Sequence, residues 1–170
     1  KPISSYGIIK LAVEHYIELY AKLYQIDYLI LRLSNPFGSF HRSPKQGVIN
    51  IAVRKALRGE VMTVWGDGSQ AKDYIYAGDI GQAINGLIQA GVKNETINVG
   101  SGESLTLQTI IERIQAKLPA FQVEYKEAKV TDVQKICLDT SKLASIMPWQ
   151  VTSFDQALEA TIAYEKARLS

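Results

Sequence analysis

The chain has 170 residues, with 19 lysines and arginines against 17 aspartates and glutamates and a formal net charge of +2. Its length suffices for one domain with a sizeable core, and the interspersed charges exclude a nucleic-acid-binding stripe or a polybasic membrane tract. No apolar run is long enough to span a membrane, and the single cysteine excludes an internal disulfide. We expect a soluble cytoplasmic protein in which Cys137 is a small buried residue of a strand.

The first predicted element is a helix over residues 5–24 that is apolar on more than one face. Such a helix usually packs on a sheet with one face and on a partner with the other, although a deeply buried core helix would have the same pattern. The apolar side chains of one face are Ile9, Val13, Tyr16, Tyr20 and Leu23, and those of another are Ile8, Leu11 and Leu19.

Tyr6 and Lys10 stand four residues apart at the start of this helix and therefore on one face. A nearby ammonium favours the phenolate form of a tyrosine, so the pair is suited to moving a proton at a sugar hydroxyl. The spacing alone is also compatible with an ordinary surface pair, since Tyr125 and Lys129 share it. The position of Tyr6 at a helix start favours the catalytic interpretation.

The rest of the chain alternates strands and helices. Residues 28–33 read as an apolar strand of a parallel sheet covered on both faces, followed by a turn at 34–38 and a polar loop. In chain order, the sequence then predicts a helix at 48–58 closed by Gly59, strands at 61–65 and 73–76, a helix from an Asp79 cap to 90, a strand at 96–99, a helix from a Thr106 cap to 118, strands at 121–125 and 136–138, and a helix at 153–168. This alternation predicts an α/β protein.

Four motifs occur in a distinctive order: the Tyr6–Lys10 pair, then residues 31–38 (LRLSNPFG), 65–76 (WGDGSQAKDYIY) and 97–102 (INVGSG). In this order the chain resembles the extended short-chain dehydrogenase/reductase family, in particular the UDP-glucose 4-epimerase-like, NAD-dependent nucleotide-sugar epimerases and dehydratases. The resemblance covers essentially all 170 residues and implies the C-terminal half of such an enzyme.

The resemblance also implies the architecture. We expect the C-terminal part of a Rossmann-like doubly wound parallel sheet together with a small α/β substrate-binding domain. Residues 1–38 would be the last helix and strand region of the NAD-binding domain. Residues 39–170 would be mainly the substrate-binding domain, with segments around 73–100 returning to the Rossmann sheet.

By the same resemblance, Tyr6 is the catalytic acid/base and Lys10 holds the nicotinamide ribose. Leu33 and Pro36 line the nicotinamide pocket, where open α/β sheets bind ligands beyond their strand ends. The glycine-rich turn that holds the cofactor pyrophosphate in the family does not occur in the sequence. The expectation is that the full-length protein binds NAD, and that residues 1–170 alone do not bind it and are inactive.

The resemblance assigns a nucleotide sugar as the substrate. Its implied contacts are Asn35 to the phosphosugar, Val48 and Trp65 to the base, Asp132 to the ribose, and Lys72 and Lys129 to the diphosphate. At both lysine positions relatives normally have arginine, whose planar fork grips phosphate in a way that a lysine cannot. Turn roles for Asn35 and Asp132, a core role for Trp65 and surface roles for the two lysines remain alternatives.

The function indicated is an NAD-dependent nucleotide-sugar epimerase. A 4,6-dehydratase, a decarboxylase or a reductase of the same family uses the same Tyr–Lys pair, and a non-catalytic nucleotide-binding module with a decayed phosphate site is the alternative of another class. No grouping has metal-ligand spacing, His15 is expected on a surface, and His41 lies in the loop after Pro36. Relatives pair through the first helix, which implies a homodimer.

Overall fold

The structure is a computed structural model and describes residues 2, 4–127 and 135–169. Six helices and seven strands are assigned in this part of the chain. In chain order these elements are α1 (Ser5–Tyr24), β1 (Leu29–Leu33), β2 (Asn35–Phe37), α2 (Val48–Arg58), β3 (Met62–Trp65), β4 (Ala71–Tyr76), α3 (Ala77–Gln89), β5 (Glu95–Val99), β6 (Ser104–Thr106), α4 (Leu107–Lys117), β7 (Val123–Lys126), α5 (Ser141–Ile146) and α6 (Phe154–Leu169).

Local sequence signals explain several helix ends. Ser4 caps α1 by accepting a hydrogen bond from Gly7 N, and Thr106 caps α4 by accepting one from Thr109 N. The α2 helix ends at Gly59, whose φ of 68° is the left-handed conformation that glycine adopts without strain. These boundaries agree with the predicted helices, as do the final helix and the strands β1, β3 and β5.

The strands form three small sheets, and two of them meet along one continuous stretch of chain. β1 pairs in parallel with β5, and β2 pairs in parallel with β4, which also pairs antiparallel with β6. β3 and β7 form a separate parallel pair. The α/β class with parallel strands, predicted from the alternation of elements, is confirmed.

Two hydrophobic cores organise the described residues. The larger core joins α2, α4 and α6 with β3 through buried side chains such as Val53, Val64, Ile110 and Leu158. The smaller core joins β4, β5, α3 and α5 through residues that include Ile75, Leu87, Ile97 and Leu143. Helix α1 contributes a single buried residue, Ala21, and its apolar side chains are otherwise largely exposed.

Four local predictions are wrong. The predicted turn at 34–38 contains the short strand β2, and the predicted strand at 136–138 is absent, with an isolated bridge from Lys135 to Ala71 beside it. Cys137 is exposed, because the segment that carries it runs along the surface and not within a sheet. Asp79 lies inside the first turn of α3, and the cap is Tyr76.

The sequence also gave no indication of the strand β6 or the short helix α5, which the structure contains. Among the described residues, no helix combines the length and the apolar character that a membrane-spanning segment requires.

Candidate active site

The candidate site is built where the chain changes partner between β1 and β2. β1 runs beside β5 as far as Leu33, and Ser34 N still donates to Val99 O at 3.0 Å. From Asn35 onward the chain pairs with β4 instead. In open α/β sheets ligands usually bind beyond the carboxyl ends of the parallel strands, which is where Leu33 and Pro36 lie.

The predicted cofactor residues Leu33 and Pro36 flank this change of partner. Both are exposed, so each presents apolar surface that no described residue covers. Between them, the Ser34 side chain is buried, and its hydroxyl has no hydrogen-bond partner among the described residues. The strand end therefore combines bare apolar surface with one unsatisfied polar atom, an arrangement typical of a place completed by another group.

Tyr6 and Lys10 lie together on α1. The Lys10 ammonium is 5.4 Å from the centroid of the Tyr6 ring, and the Tyr6 side chain is 69% exposed. Glu14, one further turn along roughly the same side of the helix, accepts two hydrogen bonds from the Arg32 guanidinium on β1, at 2.8 and 2.5 Å. This bidentate bond ties the Tyr–Lys side of α1 to the strand that ends at Leu33.

The charge pair also perturbs the two groups that form it. The hydrogen bond from Arg32 lowers the pKa of Glu14 below its ordinary value and correspondingly raises the pKa of Arg32. Both groups therefore remain charged at neutral pH.

Asn35 is fixed by the neighbouring strand. Its side-chain amide donates to the backbone oxygen of Asp73 at 2.8 Å. Lys72, the predicted diphosphate-binding residue, precedes Asp73 in β4 and is half-buried. The structure thus brings two of the predicted substrate residues, Asn35 and Lys72, to adjacent strands.

Val48 is the first residue of α2 and packs against the larger core while remaining half-buried. The loop before it is held by side chains of α2. The Asn50 side chain accepts a hydrogen bond from Gly38 N and donates one to Gly38 O. Arg54 donates to the backbone oxygens of His41 and Ser43. Buried Glu165 of α6 accepts from both Asn50 and Arg54. A buried polar network therefore shapes the chain between Pro36 and Val48.

Trp65 lies at the end of β3 in the separate β3–β7 sheet, and its side chain is 56% exposed. The exposed ring contradicts the alternative that Trp65 is a core residue and leaves a flat aromatic surface. Its partner across the sheet is Lys126. On the same pair of strands, Thr63 donates to Glu124, and this hydrogen bond lowers the pKa of the Glu124 carboxyl.

Lys129 and Asp132 lie outside the described residues, so their predicted roles remain predictions. His15 is on the surface, as expected, and its Nδ1 atom lies 3.4 Å from Glu18 Oε2. The His41 ring packs against Gly47, where an added Cβ would lie 2.5 Å from Nε2, so this histidine shapes the loop before α2. Within residues 2, 4–127 and 135–169, no group of three or more histidine, cysteine or carboxylate side chains could hold a metal ion.

The sequence analysis did not predict the burial of three acidic residues: Asp73, Asp79 and Glu165. Asp79 accepts hydrogen bonds from the backbone and hydroxyl of Thr152, 73 residues away, which explains why it does not cap α3. In the sequence, each of these acids stands within an otherwise apolar strand or helix face. Such a position indicates that the acid is buried and paired, but it does not identify the partner.

A cavity of about 260 Å³ lies beside β4, and none of the predicted site residues that the structure describes lines it. Tyr74 and Ser101 line it, and burial raises the pKa of Tyr74 to about 12, so this phenol stays neutral. Four charged residues line it, and of these Arg113 and Asp155 pair with each other, with Nη1 3.2 Å from Oδ2. Its other lining residues include Phe37 and Ile75, one from each core.

Comparison with known proteins gives consistent results. Residues 1–100 match the model of the NAD dependent epimerase/dehydratase family. The chain is 36% identical over 149 residues to a putative UDP-glucose 4-epimerase of Methanocaldococcus jannaschii, covering 85% of this chain and 48% of that protein. It is 33% identical over 153 residues to a dTDP-4-dehydro-6-deoxyglucose reductase of Escherichia coli, covering 89% and 48%.

The fold also matches solved structures. The crystal structure of a UDP-glucose 4-epimerase from Thermotoga maritima, determined with UDP-glucose, superimposes with a TM-score of 0.88 at 30% identity. The match covers 100% of this chain and 56% of that one. The chain therefore spans about half the length of the relatives it matches.

Proposed function

The chain belongs to the NAD-dependent epimerase/dehydratase family, and on this premise we propose that it is the part of a nucleotide-sugar epimerase that carries the catalytic tyrosine and most substrate contacts. The observation that carries the proposal is the Tyr6–Lys10 pair on a helix tied through Glu14 and Arg32 to the strand end. The activity and substrate belong to the whole protein, of which this chain corresponds to about half by comparison with its relatives.

In this proposal Tyr6 is the group that moves the proton. Its phenolate oxygen accepts the proton of a sugar hydroxyl as the carbon is oxidised, and the phenol returns it when the carbon is reduced on the other face. The nearby Lys10 ammonium stabilises the phenolate, which makes the tyrosine a better base near neutral pH. Epimerisation requires both directions of transfer, and one residue can serve both.

The described residues fit the nicotinamide end of an NAD molecule. Leu33 and Pro36 would contact the ring, and Lys10 would hold the adjoining ribose; the exposed apolar surface and the unsatisfied Ser34 hydroxyl at the strand end support this. When bound, NAD supplies the hydride acceptor. No strand–glycine-turn–helix for the pyrophosphate occurs in the sequence given, so we propose that NAD binding requires the whole protein.

We assign the nucleotide sugar to the residues beyond the strand end. Asn35 would contact the phosphosugar, Trp65 and Val48 the base, Asp132 the ribose, and Lys72 with Lys129 the diphosphate. The exposed ring of Trp65 and the fixed amide of Asn35 support these assignments. The relative from Thermotoga maritima holds UDP-glucose, which makes that compound the first substrate to test.

The decisive experiment follows the sugar itself. The whole protein is incubated with UDP-glucose and the products are resolved by proton NMR. Appearance of the 4-epimer supports the epimerase. A keto sugar that has lost water identifies a dehydratase. In a second incubation with a UDP-linked uronic acid, loss of carbon dioxide identifies a decarboxylase.

Two alternatives have a specific basis. The similarity to the Escherichia coli reductase makes reduction of a keto sugar the nearest competing chemistry, and it requires added reduced cofactor. A non-catalytic nucleotide-binding module with a decayed phosphate site is the alternative outside enzymes, based on lysine at positions 72 and 129. Binding of UDP-glucose without any turnover would favour the module.

We further propose that two copies of the whole protein pair through α1 in the cytoplasm. The exposed apolar side chains of α1 support the pairing. We also propose that residues 1–38 belong to the NAD-binding domain and that residues 39–170 form mainly the substrate-binding domain. The separate smaller core, which links β4 and β5, supports a return of residues around 73–100 to the NAD-binding domain.

A further inference from the structure

Asp73 is a buried charged residue with no exposed surface, and it lies in the central strand of the β2–β4–β6 sheet. It is not among the residues assigned to cofactor or substrate. A carboxylate without solvent contact needs hydrogen-bond donors to compensate for lost hydration.

Four donors meet this need, and they come from two distant segments. Oδ1 accepts from Ser101 N at 2.9 Å and from Ser101 Oγ at 2.8 Å. Oδ2 accepts from Gly102 N and from Leu138 N, both at 3.2 Å. One carboxylate therefore holds the turn after β5 together with the segment that follows residues 128–134.

The turn after β5 is shaped to admit this carboxylate. An added Cβ at Gly100 would lie 2.7 Å from Asp73 Oδ2, so any larger residue there would displace the acid or the turn. The close approach and the four donors show that the carboxylate position is determined from several sides.

The backbone of the same residue holds Asn35. The Asp73 backbone oxygen accepts the Asn35 side-chain amide at 2.8 Å, on the strand that lies beside β4 on its other edge. A shift of residue 73 therefore changes the orientation of the Asn35 side chain.

We infer that Asp73 is a positioning residue: its carboxylate, fixed by Ser101, Gly102 and Leu138, sets the orientation in which Asn35 meets the sugar portion of the nucleotide-sugar substrate. This inference rests on the proposed function for the identity of the ligand. The connection from the carboxylate to the Asn35 amide rests on the geometry alone.

The test weakens the carboxylate's support without removing the buried charge. Ser101→Ala in the whole protein deletes the hydroxyl donor, together with the contacts of that hydroxyl to the Glu103 backbone O and N at 3.0 and 3.1 Å, and leaves the three backbone donors in place. Asp73→Asn, by contrast, would place an amide against N–H donors and endanger folding. Ser145→Ala is the control, because the Ser145 hydroxyl donates to the Lys142 carbonyl within α5 and contacts neither Asp73 nor Asn35 among the described residues.

Two readouts are measured. The first is the Asn35 side-chain amide resonance in protein labelled with ¹⁵N-asparagine, assigned by its loss in Asn35→Ala; we expect it to shift in Ser101→Ala and not in Ser145→Ala. The second is the affinity for UDP-glucose, which we expect to fall about two- to tenfold in Ser101→Ala, the effect of one hydrogen bond. In an Asn35→Ala background Ser101→Ala should cause no further loss.

An unmoved Asn35 resonance in Ser101→Ala would overturn the inference, as would additive effects of the two substitutions on affinity. A wild-type protein that binds no UDP-glucose would contradict the proposed substrate instead. The amide resonance would still decide whether Asp73 positions Asn35.

Discussion

Arg54 Nη1 lies 3.0 Å from Glu165 Oε1, and this ion pair between α2 and α6 is enclosed by protein, with the Glu165 side chain 2% exposed and the Arg54 side chain 13% exposed. The same guanidinium holds the loop that follows Pro36 through the backbone oxygens of His41 and Ser43. The pair thus joins the larger core to the edge of the candidate site.

Glu165→Gln should destabilise the protein strongly, because it leaves the Arg54 charge buried without its partner. Breaking one side of a buried pair typically costs about 3–5 kcal/mol. Glu159→Gln on the same helix is the control, since the Glu159 side chain is 65% exposed in its pair with Lys117 and surface pairs contribute about 0–1 kcal/mol. Urea unfolding measures the free energy of unfolding of both variants. Equal losses of that free energy would show that burial of the Arg54–Glu165 pair has no energetic consequence.

Tyr6→Phe in the whole protein should remove most of the turnover and leave nucleotide-sugar binding nearly unchanged. The substitution deletes only the phenol oxygen, and a general acid/base group typically contributes about 10²–10⁴-fold in rate. Tyr16→Phe, at another exposed position of α1, serves as the control. Wild-type turnover in Tyr6→Phe would reject the catalytic assignment and leave Tyr6 and Lys10 as a surface pair.

The fold was predictable where its causes are local. The caps at Thr106 and Gly59 and the apolar pattern of β1 depend on neighbours within a few residues, and their elements are observed close to their predicted bounds. The strand β2 was not predicted, because asparagine followed by proline is typical of a turn. The strand conformation of Asn35 and Pro36 comes from pairing with β4, nearly forty residues later.

In the candidate site, too, local features could be predicted from the sequence and long-range contacts could not. The Tyr6–Lys10 pair follows from helical spacing and is observed as a contact. Apart from Arg168, which pairs with Glu165 within α6, the side-chain and backbone donors to the Asp73 and Glu165 carboxylates lie from 28 to 115 residues away, so no periodicity could identify them. The burial of these acids is a tertiary property, and the sequence shows only that an acid interrupts an apolar pattern.

Lys72→Arg combined with Lys129→Arg should tighten the binding of a nucleoside diphosphate. Each guanidinium adds a planar pair of donors where the ammonium offers a point charge, and hydrogen bonds to charged groups contribute about 1.5–3 kcal/mol. Lys93→Arg is the control, because Lys93 pairs with Asp27 at 2.6 Å on an exposed surface. Calorimetry with UDP, TDP, GDP and CDP measures the change, and no gain for any of them would show that the two lysines do not face phosphate.

The contribution of Glu14 to stability should depend on pH. Because Arg32 lowers the pKa of Glu14 below its ordinary value of 4.5, the contribution is complete above that value and is lost as the pH falls through the lower folded-state pKa. Arg32 is half-exposed, so we expect only about 0.2–1 kcal/mol.

Glu14→Gln should therefore lower the melting temperature at neutral pH, and its effect should diminish at acid pH as the carboxyl takes up a proton in the folded state as well. Glu112→Gln, which loses a charge on the exposed face of α4, controls for the change in net charge. A deficit of equal size at both pH values would mean that the Glu14 side chain acts through packing rather than through its charge.

The first helix should mediate self-association of the whole protein. Its exposed side chains form an extended apolar surface. The rings of Tyr16, Tyr20 and Tyr24 follow one another along it in tilted contacts, with centroids 6.4 and 5.4 Å apart. Leu19 belongs to this surface and is half-exposed. Burying a leucine is worth about 1.5–3 kcal/mol, so placing a charge there in both copies should shift a dimer strongly towards monomer.

Light scattering over a range of concentrations measures this shift for the wild type, for Leu19→Glu and for Ile88→Glu. Ile88 is an equally apolar and exposed residue of α3, outside the proposed interface, and its substitution should leave the dimer intact. Far-UV circular dichroism should be unchanged in both variants, because each side chain is exposed. A wild type that is monomeric at every concentration would show that α1 is covered within its own subunit, and dissociation by Ile88→Glu in place of Leu19→Glu would move the interface to α3.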